Sequence, residues 1–159
     1  MRVTLPVAAL LVLAVPAAAH QGKAQAAEAT PLLRSALAPA ATVDAFHKAL
    51  QQGDARAAAA LLSDDALIFE SGGAERSKAE YQAAHLPADI EFTQAVKETI
   101  TSRSGSASGS TAWIASEGRV TGTFHGKPVD RATTETMVLR QTPRGWRITH
   151  VHWSSAPAH

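Results

Sequence analysis

Helix and strand patterns are segregated along this chain. Every run that reads as helix lies before Pro87, and everything from Ala95 onward reads as strand. That order rules out an alternating parallel α/β design. It predicts an α+β domain with N-terminal helices packed on a strongly curved, mainly antiparallel sheet. The strands are expected over 95–103, 111–124, 131–141 and 146–155, separated by turns at 104–110, His125-Gly126-Lys127 and 142–145. Gly118 and Gly122 predict a bulge or bend in the second of them.

The helical half carries its own punctuation. Thr42 reads as an N-cap, followed by Val43, Phe46, His47 and Leu50 at helical spacing. Gly53 ends that helix, and Asp54 caps a second over 55–62. A short apolar strand, 66–71, turns at Gly72-Gly73. Ser77 and Glu80 form a capping box that starts a third helix. Tyr81 and His85 lie four apart on it, hence on one face, and Pro87 stops it.

The chain has 159 residues, 45% hydrophobic and 18% charged, enough for one domain with a real core. Arg2, the apolar stretch 5–15 and Ala17-Ala18-Ala19 predict a cleavable signal peptide, 1–19. A flexible linker follows at 20–41, then the domain at 42–155 and a tail at 156–159. The expected location is periplasmic or secreted, with no membrane contact after signal cleavage. Cysteine is absent, which excludes thiol catalysis and thiolate zinc sites. The net charge of +1, without a basic stripe, predicts no nucleic-acid partner. No cofactor is expected.

The C-terminal hairpin is the most specific signal. Thr133-Thr134-Glu135-Thr136-Met137-Val138-Leu139-Arg140 passes through Pro143-Arg144-Gly145 into Trp146-Arg147-Ile148-Thr149-His150-Val151-His152-Trp153-Ser154-Ser155. This resembles the closing hairpin of NTF2-like proteins. It looks closest to the SnoaL-like branch, with the DUF4440 group and the association domain of calcium/calmodulin-dependent kinases. The first helix, the Gly53-Asp54 corner and the Leu67-Ile68-Phe69-Glu70 strand appear in family order, so the resemblance spans 42–155. It implies a cone: a bent sheet wrapped around helices, with a pocket at the open end. It also implies a homodimer paired through the sheet. Members include isomerases, dehydratases, cyclases and binding or assembly modules, so fold alone does not fix function.

The expected pocket lining is Tyr81, His85, Gly118, Glu135, Met137, His150, His152 and Trp153. Kinase association domains line this pocket with arginines. The resemblance places Gly118, Met137 and Trp153 there instead, which implies a small neutral or apolar ligand. Catalytic candidates are Glu70, Glu135, His150 and His152. Either carboxylate, desolvated, suits a general base, with Tyr81 as a donor. Period two puts His150 and His152 on one face with Trp146 and Ile148. The opposite row, Thr149, Val151 and Trp153, is also fairly apolar, and which row faces the pocket stays open. Glu70, His85, His150 and His152 would make a metal set only if they converged; no metal is expected.

Three function classes follow. The first is a module binding a small molecule. The second is a proton-transfer enzyme, either a ketosteroid-isomerase-like isomerase or a hydro-lyase. The third is a histidine-based metal or homo-oligomeric assembly module. Two buried carboxylates of raised pKa in the pocket would favour the enzyme, converging histidines the metal, and a wholly apolar pocket simple binding.

Overall fold

The computed structural model describes residues 32–158. The expected signal peptide and the first part of the expected linker lie outside the described residues. A 3-10 turn, Arg34–Ala36, leads into α1 (Leu37–Gln52), α2 (Ala55–Leu61), β1 (Leu62–Glu70), β2 (Gly73–Glu75), α3 (Lys78–Ala84) and α4 (Leu86–Ala95). Four long strands complete the domain: β3 (Val96–Ser108), β4 (Thr111–Phe124), β5 (Lys127–Thr142) and β6 (Gly145–Pro157). The sheet order is β2-β1-β6-β5-β4-β3. All neighbours are antiparallel except β1 and β6. The architecture is the expected one, helices followed by a curled, unclosed sheet.

Local chemistry sets the joints. Gly53 takes φ +73°, open to glycine at little cost, and reverses the chain after α1. Its N–H bonds to the Leu50 carbonyl at 3.0 Å and that of Asp54 to Ala49 at 2.9 Å. The Asp54 carboxylate then accepts the Ala57 N–H at 2.8 Å and caps α2. Ser77 Oγ accepts the Glu80 N–H at 3.1 Å at the head of α3, and Glu80 reaches back to the Arg76 N–H at 2.5 Å.

Three of the boundaries that differ from expectation have a local physical reason. α1 begins at Leu37 rather than at a Thr42 cap. Pro39 sits in its first turn, where a missing N–H leaves no helical bond unmade. Ala36, Pro39 and Ala40 are buried, and the Leu33 N–H reaches the Gly105 carbonyl at 3.2 Å. Residues 32–41 therefore belong to the packed domain rather than to a linker. Pro87 does not end the helical region; it stands in the first turn of α4, its fixed φ already helical. Finally, 104–108 extends β3 instead of forming a turn. Its small residues are a packing requirement: a Cβ on Gly105 would lie 2.7 Å from Ile114 Cδ1.

The core fills the concave face. Val43, Phe46 and Leu50 of α1 meet Ile68, Ile114, Met137, Leu139, Ile148 and Val151 of the sheet. Each such burial contributes about 1.5–3 kcal/mol. One irregularity decides which side chains face inward. Leu139 pairs with Ile148, but Val138 pairs with His150, so Thr149 is an extra residue in β6. Its hydroxyl donates to the Val138 carbonyl at 3.1 Å. Past this bulge, Val151 and Trp153 continue the inner row begun by Ile148, and His150 and His152 point to the other face.

Candidate functional site

A row of register partners crosses the concave face from β3 to β1: Arg103, Ser116, Glu135, Trp153 and Glu70. Above it, α1, α4 and the strand ends enclose a cavity of about 160 Å³. Its apolar wall comes from Leu50, Phe92, Val96, Ile100, Val120 and Trp153. Its charged groups are His47, Glu70, Asp89, Glu98, Arg131 and Glu135, with the exposed Glu117 at the margin.

His47 projects from the buried stripe of α1 onto β5. Its Nε2 lies 2.6 Å from Glu135 Oε2, and the Trp153 indole N–H donates to the same oxygen at 2.8 Å. Glu135 is only 8% exposed, and its Oε1 is buried with no partner among the described residues. Burial pushes the Glu135 carboxyl up, but the His47 and Trp153 hydrogen bonds and the charges of His47 and Arg103 outweigh it and hold the pKa below its usual range. Burial likewise pushes the His47 imidazole down, and the Glu135 hydrogen bond and charge raise it overall. The pair therefore favours carboxylate and imidazolium. Arg103 holds the far side of the row, donating from Nε to Ser116 Oγ at 3.0 Å and from Nη1 to Asp44 at 2.5 Å.

A second acidic pair borders the cavity from β1 and α4. Burial, then the Asp89 charge, raises the Glu70 carboxyl. Burial also raises Asp89, against a hydrogen bond from the Tyr81 hydroxyl to Oδ2 at 2.7 Å. Burial pushes the Tyr81 phenol up in turn.

The structure sorts the expected site residues. Glu70, Gly118, Glu135 and Trp153 border the cavity. Tyr81 and Met137 lie behind the wall, fully buried in the core. His85 sits at the α3–α4 junction, half-exposed and hydrogen-bonded to Glu75, which raises its pKa; it does not line the cavity. His150 and His152 are corrected outright. The Thr149 bulge shifts them to the outer face, where both rings stand edge-on to Phe69, at 5.3 and 6.3 Å between centroids. His150 Nδ1 also lies 2.9 Å from the Leu67 carbonyl. Glu70, His85, His150 and His152 thus do not converge, and no group of three metal-ligating side chains occurs among the described residues. Arg131 also borders the cavity and supplies a positive charge there.

Sequence reasoning missed His47, Asp89 and Glu98. The signal for His47 was present: a titratable ring on an otherwise apolar helical stripe needs a buried partner, and Glu135 was the acid on a strand of threonines. Asp89 has no such signal, because Pro87 reads as a helix stop and 88–94 carries no predicted element, whereas Pro87 in fact stands in the first turn of α4.

The chain matches the SnoaL-like domain family over residues 40–159. It superposes on a candidate ketosteroid isomerase from Shewanella frigidimarina with a TM-score of 0.71. That pair shares 36% identity over 74% of this chain and 94% of that one. A candidate calcium/calmodulin-dependent protein kinase II association domain from Xanthomonas campestris gives a TM-score of 0.65 at 22% identity, over 76% and 87% of the two chains. A candidate NTF2-like dehydratase from Streptomyces avermitilis gives 0.66 at 19%, over 76% and 95%. These last two share the fold. No curated protein matches the sequence. The fold is that of NTF2-like proteins. Within that class the chain belongs to the SnoaL-like family.

Proposed function

We propose that this protein binds a small, mainly apolar molecule in the cavity between α1, α4 and the concave sheet. The observation that carries this reading is Glu135. It is buried, it borders the cavity, and Oε1 has no partner among the described residues. An unmade bond at a buried acceptor costs about 1–3 kcal/mol. A donor on a bound molecule would remove that cost, while the apolar wall would take the rest of the ligand. Native mass spectrometry of the purified protein tests this, together with tryptophan emission, because Trp153 borders the cavity. A retained molecule, released by Glu135→Gln in a variant that still folds, is expected. No retained molecule, and no change in emission with any apolar compound, sinks the reading.

A second reading is favoured by the opposed carboxyls. Glu135 is held low beside a raised His47, whereas Glu70 and Asp89 are raised. Titratable groups pushed apart in one cavity suit proton transfer. The name of the Shewanella relative points to isomerisation, in which a proton leaves one carbon and returns to another. The corresponding assay is conversion of a β,γ-unsaturated ketone to its conjugated isomer, followed by ultraviolet absorbance. Turnover slowed by His47→Gln is expected; no turnover leaves binding alone.

The proposal extends to context. Arg2, the apolar stretch and the alanine site support export to the periplasm or beyond. No helix among the described residues is long and apolar enough to cross a membrane. A homodimer through the outer sheet face is supported by the aromatic side chains exposed there.

A further inference from the structure

The donors and acceptors on the cavity wall are out of balance. Of the nitrogen donors, His47 Nε2 and the Trp153 indole N–H both go to Glu135, and Arg131 turns Nε and Nη2 to Ser155. The acceptors are not spent. Glu135 Oε1 is buried and unpartnered, Glu70 and Glu98 accept no side-chain hydrogen bond, and Asp89 accepts only from Tyr81 at Oδ2, all among the described residues. Ionised carboxylates can only accept. On the sheet, Arg131 stands two strands from Glu98, across Val120. Glu70, paired with Gly73 and Trp153, and Asp89, bonded by Tyr81, have no cation as a register neighbour or hydrogen-bond partner. His85, whose charge reaches both, is committed to Glu75 and stands outside the cavity.

We propose that the ligand carries a protonated amine, received between Glu70 and Asp89, with its apolar body against Phe92, Val96 and Ile100. An ammonium is donor-only and positive, the complement of this wall. An anionic ligand meets four carboxylates, Glu70, Asp89, Glu98 and Glu135, against His47 and Arg131. A neutral one leaves the acidic pair unmatched. The inference rests on the ligand-pocket reading above and names the class of molecule that the pocket takes.

Three probes with the same phenyl group separate the possibilities: phenethylamine, 2-phenylethanol and phenylacetate, titrated into the unaltered full chain by calorimetry and by tryptophan emission. The amine is expected to bind about tenfold tighter than the alcohol or better, with phenylacetate weakest. Glu70→Gln and Asp89→Asn should each shrink the preference for amine and leave the alcohol's affinity unchanged. Equal binding of amine and alcohol, tightest binding of phenylacetate, or a preference surviving both substitutions overturns the amine assignment and leaves the pocket reading standing. Failure of all three to bind at millimolar concentration overturns both. Should either variant fail to fold, the probe series on the unaltered protein still decides.

Discussion

The His47–Glu135 contact ties stability to pH in a way that can be signed. The Glu135 carboxyl is lowered from an ordinary value of 4.5, so its contribution is present above that pH and lost as pH falls through the lowered value. The His47 imidazole is raised from 6.5, so its contribution is full below that pH and lost as pH rises through the raised value. Together they stabilise most between these two ordinary values. Melting temperature is expected to decline on the alkaline side in the parent and to flatten there in His47→Gln. Parallel profiles from about pH 5 to about pH 9 would show that the pair is not charged as described. His47→Ala, which strands a buried carboxylate, should cost about 3–5 kcal/mol in denaturant melts. Of the two partners, Glu135 was legible as an acid on an inner strand. His47 was visible only as a member of a stripe, because a helical period reports which face is buried and not what the face touches.

At the level of elements, period two along β6 was the natural reading, and it failed at one residue. A bulge adds a residue without leaving a sequence mark as clear as a glycine, and Thr149 looks like any strand threonine. Hence the last hairpin was legible as a motif while the side its histidines face was not. Deleting Thr149 is expected to leave Ile148 opposite Leu139 and His150 opposite Val138 as consecutive pairs, so that His150 and His152 stay on the outer face and Val151 and Trp153 on the inner. The deletion variant should therefore fold with its inner row intact and a midpoint of unfolding close to the parent's. Severe destabilisation or loss of folding would show that β6 requires the bulge itself. α4 was illegible for a different reason: its apolar residues, Leu86, Ile90 and Phe92, do not repeat at a clean helical period, and tertiary contacts rather than amphipathicity hold it. The capping box at Ser77 was legible because its chemistry is local. Ser77→Ala should cost about 1 kcal/mol, and a change below a few tenths would mean that the cap is frayed in solution.

Across the whole molecule, the outer sheet face is the unfinished surface. Trp113, Val138, His150 and Leu67 are successive register partners on it, and Ala115, Thr136, His152 and Phe69 form the next row. Trp113 is 41% exposed and Phe69 36%, large aromatic rings beside half-buried aliphatic ones. A patch of this kind suits a self-complementary, twofold interface, in which the same rows meet their copies. The bulge that turned the histidines out of the cavity also placed them here, so the feature that misled the reading of β6 supplies the patch. Light scattering of the mature protein at micromolar concentration is expected to give the mass of a dimer. Trp113→Glu sets a charge against its twofold mate and should convert the protein to monomer. Because the substitution lies outside the core, the folded monomer should persist. Its melting temperature should no longer rise with protein concentration, as the parent's does when association is linked to folding. A parent that is monomeric at every concentration tested would remove the interface, leaving the exposed rings as ordinary surface.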